Sequence, residues 1–253
     1  MSQLGIAAQL YTVRHLTQLD FAGTAGRVAA IGYRAVELAG FGNLTSAGAV
    51  KNALDSHQLA CISSHVPIED FERDPDAVMR DNELIGNHTL VVPWLEEARR
   101  RSGADWHRLA DFLNKIGRLC ARRGFQLAYH NHAFEFEEFA GQRAFDILWN
   151  GTDPQLVKAE LDVYWIAFAN QDPLAWMRRL SDRLLLLHLK DLADTPDRRF
   201  AEVGTGTLDF GKILQAAEST GVRWGIVEQD DTYGQSPIAS LKTSFDNLKK
   251  LLT

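Results

Sequence analysis

Residues 157–191 read VKAELDVYWIAFANQDPLAWMRRLSDRLLLLHLKD, and their pattern decides the fold. Val157–Leu161 is a short apolar run that ends in Asp162. Leu184–Leu189 is a second such run, carrying His188 and followed by Lys190 and Asp191. Between them Asp172-Pro173 opens a helical stretch to Leu180, since proline suits the first helical position and a preceding aspartate caps it. Two apolar strands joined through a helix, with little polar alternation, are the mark of parallel strands covered on both faces.

The same unit recurs outward in both directions. Further strand candidates are Gly5–Leu10, Ala35–Leu38, Ala60–Ser64, Thr89–Val92, Gln126–Tyr129 and Trp224–Val227, making eight. Helix candidates lie between them at Asp20–Ile31, Thr45–His57, Pro75–Gly86, Trp106–Arg123, Arg143–Trp149, Phe210–Ser219 (with Asp209 as N-cap) and Ile238–Leu252. Gly32, Gly124 and Gly221 stand where helices return to strands, as C-caps do. No Ser/Gly/Pro linker divides the chain, so residues 1–253 are expected to form one domain. Eight such units in about 250 residues match an α/β fold, a closed (β/α)8 TIM barrel. A doubly wound open sheet ranks second, because it wants a glycine-rich phosphate loop after its first strand. This chain has QLYTVRH there.

Composition narrows the function classes. The 253 residues are 45% hydrophobic, with 27 Lys plus Arg against 33 Asp plus Glu, a net charge of −6. This excludes intrinsic disorder and argues against a nucleic-acid partner. Cys61 and Cys120 are too few for a disulfide framework and read as small core residues in a reducing compartment. No apolar run approaches the ~20 residues of a membrane span. The opening MSQLGIAAQLYTVR lacks a basic run before an apolar one, so no signal peptide is expected and a cytoplasmic location follows.

In a barrel, chemistry gathers where strands end. Here the ends carry Gln9, Glu37, His65, Trp94, His130-Asn131-His132, Asp162, His188 with Lys190, and Glu228. Ionisable residues finishing this many apolar strands imply a shared site. His130, Asp162, His188 and Glu228 mix imidazole with carboxylate, a donor set that suits Mn²⁺, Co²⁺, Zn²⁺ or Fe²⁺ better than an all-oxygen Ca²⁺ or Mg²⁺ site. The expected cofactor is one divalent ion, with Mn²⁺, Co²⁺, Zn²⁺ and Mg²⁺ as candidates. His130-Asn131-His132 spells a nuclease motif, but no cysteine pair or basic stripe accompanies it. Glu135, Glu137 and Glu138 read as a solvated loop, with Glu135 near enough to fold over the rim.

The motifs GIAAQLYTVR, GYRAVELAG, YHNHAFEF, ELDVYW, HLKD, EVGTG and IVEQD, in this order, resemble the xylose isomerase-like TIM-barrel superfamily, in the group usually called sugar phosphate isomerases/epimerases. The resemblance covers nearly the whole chain. It implies a divalent ion held at strands five to eight, where Asp162, His188 and Glu228 match the last three ligands. The strand-five position, a glutamate in the family's isomerases and epimerases, is His130 here. That YHNH form looks more like the branch of inosose dehydratase-like proteins.

The resemblance implies a metal-dependent isomerase or epimerase acting on a small sugar or keto-sugar, through α-proton abstraction and a metal-stabilised enediolate. The alternatives are a dehydratase of a keto-inositol or keto-sugar, a non-catalytic sugar-binding barrel and, last, an apurinic-site endonuclease. Glu228 and His132 stand as alternative bases, with Lys190 or His65 as acid. Glu160, two residues before Asp162 on the same strand face, is expected to support the metal or a base. Gln9, Glu37, His65, Trp94 and Trp165 are expected to bind the substrate. The Glu202–Gly206 loop is a candidate to close over it. No arginine cluster marks a phosphate subsite. A twofold homodimer stays open, with no surface patch assigned to it.

Overall fold

The computed structural model describes residues 4–252. Eight parallel strands close into a barrel: β1 Gly5–Gln9, β2 Ala35–Leu38, β3 Ala60–His65, β4 Thr89–Val92, β5 Gln126–His130, β6 Val157–Asp162, β7 Leu184–Leu189 and β8 Trp224–Val227. Each pairs with its sequence neighbours, and β1 pairs with β8 at Gly5↔Trp224 and with β2 at Ala8↔Val36 to seal the ring. This is the (β/α)8 barrel that the periodicity implies, with strand bounds within one residue of expectation.

Helices follow the strands, and short polar side chains start them. Asp20, Ser46, Asp74, Ser102, Asp172, Asp209 and Ser236 each accept a backbone N–H of the first helical turn. The longest helix, Gly103–Arg122, buries Trp106, Leu109, Leu113, Ile116 and Cys120 against the barrel. It starts one turn earlier than the apolar stripe suggests, because Ser102 caps it.

Most of the core lies between strands and helices. A second, smaller core fills the barrel interior with Ala7, Ala35, Val91, Ala128, Leu186 and Ile226. Side chains two apart on a strand share a face. Five of these interior residues therefore sit two positions before Gln9, Glu37, His130, His188 and Glu228, and the strand periodicity that buries the former aims the latter at the mouth. No described helix is long and apolar enough to cross a membrane. Both cysteines are free, and burial pushes each thiol up to about 12.

Candidate active site

His188, on β7, sits at the centre of the barrel mouth. Its Nε2 lies 2.7 Å from Glu37 Oε1 and its Nδ1 3.0 Å from Glu228 Oε2. Gln9 donates from Nε2 to Glu37 Oε1 at 2.7 Å, tying β1 to β2. Glu160 Oε2 stands 2.8 Å from His65 Nε2, 3.0 Å from His130 Nδ1 and 3.3 Å from His188 Nε2. Lys190 points its ammonium at three carboxylates, Glu228 at 2.6 Å, Asp230 at 2.8 Å and Asp162 at 2.9 Å. All of these except His65 and Asp230 are fully buried.

Burial this deep decides protonation. It pulls the Lys190 ammonium down, but Asp162, Asp230 and Glu228 outweigh it and hold the group well above its ordinary value. His188 behaves likewise beside Glu160, Glu228 and Glu37. Burial also pulls His65 down, yet Glu37 and Glu160 raise it to about 10. His130 is held well below the usual range by burial and by His188, and burial together with Lys190 brings His132 down to about 3. Both are neutral rings near pH 7. Glu228 stays ionised, because Lys190 and His188 overcome its burial.

The residues suit a divalent cation. His130, Asp162, His188 and Glu228 each offer one ligand atom, all within 4.8 Å of one another. His65, His130, Glu160 and His188 form a second such group that shares both central imidazoles. Glu37 Oε2 and Glu160 Oε1 are buried and accept no hydrogen bond. Glu37, Glu160, Asp162, Glu228 and Asp230 thus face the Lys190 ammonium and the raised His65 and His188 rings, five carboxyl groups against three cations, an excess of acidic groups that a divalent cation would relieve.

Above this floor opens a cavity of about 800 Å³, reached by His65, His130, His132, Glu228 and Asp230 from below and by Tyr11 and Trp94 at the mouth. Of the residues expected to bind substrate, His65 and Trp94 line the cavity. Gln9 and Glu37 lie beneath it, hydrogen-bonded to each other. Trp165 lies to one side, its ring 5.2 Å from His132. Glu135 is fully buried, accepting the Tyr129 hydroxyl at 2.9 Å and the His132 backbone N–H at 2.8 Å, and so fixes the turn after β5. Burial pushes its carboxyl up to about 8.

The Glu202–Gly206 loop is stapled down instead of poised over the mouth. Asp191 accepts N–H groups from Gly204, Gly206 and Leu208 at 2.9–3.0 Å, and from Leu192 at 2.8 Å. A Cβ at Gly206 would stand 2.4 Å from the Leu192 carbonyl oxygen, so only glycine fits there. Asp230 escaped the sequence reading. It lies two residues beyond Glu228, the spacing that puts both on one side of an extended segment.

Barrel and site together define the class of protein. The family described as "Xylose isomerase-like TIM barrel" matches residues 25–251, and the chain belongs to it. An inosose dehydratase of Lacticaseibacillus casei is 29% identical over 143 residues, 50% of this chain and 47% of the relative. One from Clostridium tetani is 26% identical over 158 residues, 56% of this chain and 52% of the relative. The chain thus spans about half the length of the curated relatives it matches. Among solved structures, a sugar phosphate isomerase/epimerase from Parabacteroides distasonis superposes with a TM-score of 0.84 at 23% identity, covering 100% of this chain and 96% of the other. A probable 3-DHS dehydratase of Bacillus anthracis does so at 0.75 and 13% identity, covering 97% and 99%.

Proposed function

We propose that this chain is a metal-dependent enzyme that removes a proton α to the carbonyl of a keto-inositol or keto-sugar, and that loss of a β-hydroxyl, dehydration, is the outcome. The observation that carries the reading is the buried His130–Asp162–His188–Glu228 cluster, of which His130 and Glu228 line the open cavity. A divalent ion bound by these four would act as a Lewis acid on the carbonyl.

The chain's own residues supply the rest. Glu228 is ionised and lines the cavity, so it takes the α-proton. His132 also lines the cavity as a neutral ring and is the alternative base. His65 lines the cavity with its Nε2 engaged by Glu160 and Glu37. It is the acid that protonates the departing hydroxyl. Lys190 pairs with Glu228 and is itself held by Asp230.

Epimerisation by proton shuttling wants two carboxylates flanking the carbon. The strand-five residue here is a neutral imidazole, and one base beside one acid is the pair that elimination needs. The inosose dehydratase relatives favour the same outcome. Incubation of an inosose with the Mn²⁺-loaded protein in D₂O tests the reading. Loss of one water, with deuterium at the carbon that lost its hydroxyl and a new carbonyl at the α-carbon, supports it. Epimer or aldose–ketose interconversion without water loss favours an isomerase instead, and absence of exchange across a panel of keto-inositols and keto-sugars overturns both.

A further inference from the structure

The cavity is larger than a reaction on one ring requires. Its volume of about 800 Å³ lies towards the upper end of the range of about 300–1,000 Å³ for sites that hold drug-sized ligands. A hexose or inositol ring brings only twelve heavy atoms. His130, His132 and Glu228 supply part of its polar lining. Its apolar lining, the arm, is made by Leu38, Phe41, Val66, Val78, Pro93 and Trp94, from β2 and the segments that follow β2, β3 and β4. Trp94 exposes 47% of its surface and stacks on no other ring among the described residues. Phe41 and Val78 are half-buried.

The wall is built into the backbone. Gly42 holds φ +59°, and a Cβ there would lie 2.4 Å from the Thr17 carbonyl oxygen. This close approach fixes the turn that presents Phe41. On the opposing helix, Pro75–Ile85, Asn82 is locked by Ser64 at 2.7 Å and Asn87 at 2.9 Å, which sets the helix that carries Val78.

The charge of the cavity points the same way. Its lining includes Asp70, Asp81, Glu228 and Asp230 and neither lysine nor arginine. The guanidinium of Arg14, beside Tyr11, donates to the carbonyl oxygens of Tyr11 and Asp230. The cation of the lining is the His65 ring, already paired with Glu37 and Glu160, so a phosphate or carboxylate in the arm would meet the like charge of Asp70 and Asp81.

We infer that the substrate is bipartite: a polyol ring at the floor, joined to an uncharged second ring that lies in the arm against Phe41, Val78 and Trp94. Only the placing of the first ring rests on the function proposed above. Equilibrium binding by calorimetry, with methyl β-D-glucoside, phenyl β-D-glucoside and glucose 6-phosphate as probes, tests it. Burial of a phenyl ring in the arm makes the phenyl glucoside at least about tenfold tighter than the methyl glucoside, while the phosphate binds no tighter than the methyl glucoside. Val78→Trp, which fills the arm, brings the phenyl-to-methyl preference to about one, and Trp94→Ala lowers it. Circular dichroism checks that each variant is folded.

Equal affinity of the two glucosides, failure of both to bind, tighter binding of the phosphate, or a preference that survives both variants overturns the inference. Because binding is read apart from turnover, a phenyl preference without α-proton exchange sinks the floor reaction and leaves the arm. Exchange without the preference does the reverse.

Discussion

Lys190 shows how single residues set the state of the floor. Its ammonium is the only lysine or arginine charge within ion-pair distance of Asp162, Glu228 and Asp230 among the described residues. Removing one partner of a buried ion cluster strands the others, typically at about 3–5 kcal/mol. Lys190→Met is therefore expected to lower the melting temperature of the metal-free protein, and added Mn²⁺ is expected to raise it more in the variant than in the parent, as calorimetry would record. Asp162→Ala should drop metal content after dialysis well below one ion per chain. Unchanged stoichiometry and affinity would remove Asp162 from the ligand set. Glu228→Gln keeps an oxygen for the cation but loses the base, so α-proton exchange by NMR should fall by about 10²–10⁴. Exchange at the parent rate with metal bound would shift the role elsewhere. Most of these residues were legible in the sequence because they are ionisable and end apolar strands. Phe41 and Val78 were not, since a loop and a helix bring them to the cavity and their apolar side chains carry no chemical signal.

At the scale of elements, β1 to β8 were readable because strands buried on both faces are written as plain apolar runs. The helix Val163–Phe168 was not. Its six residues follow β6 at once and read VYWIAF, apolar all round and without helical period, and the start signal is Asp162 itself, which accepts the Trp165 N–H at 3.1 Å. One side chain thus ends a strand, caps a helix and belongs to the floor. The helix Ile68–Arg73 and the hairpin of Glu138–Phe139 with Gln142–Arg143 are likewise too short to show a period. The loop pinned by Asp191 gives a prediction of its own. Asp191→Ala leaves Leu192, Gly204, Gly206 and Leu208 short of an acceptor, and each buried unpaired donor costs about 1–3 kcal/mol. The variant should unfold at lower urea and lose hydrogen-exchange protection at Gly204 and Gly206. Full protection there would show that the staple is redundant.

For the whole molecule, a cation that binds the folded barrel and not the unfolded chain stabilises it by mass action, about 2.7 kcal/mol at one hundred times its dissociation constant. The melting temperature should climb with Mn²⁺ concentration and fall with EDTA; a flat response would mean that the folded state holds no ion there. Ring closure also bears on the timing of folding. His188 reaches back 151 residues to Glu37, while Glu228 comes from the last strand, the one that zips onto β1. A chain still emerging from the ribosome, with seven strands made, has three of the four proposed ligands but neither Glu228 nor a sealed rim. On the function proposed above, the complete His130–Asp162–His188–Glu228 site would form only after translation has passed β8.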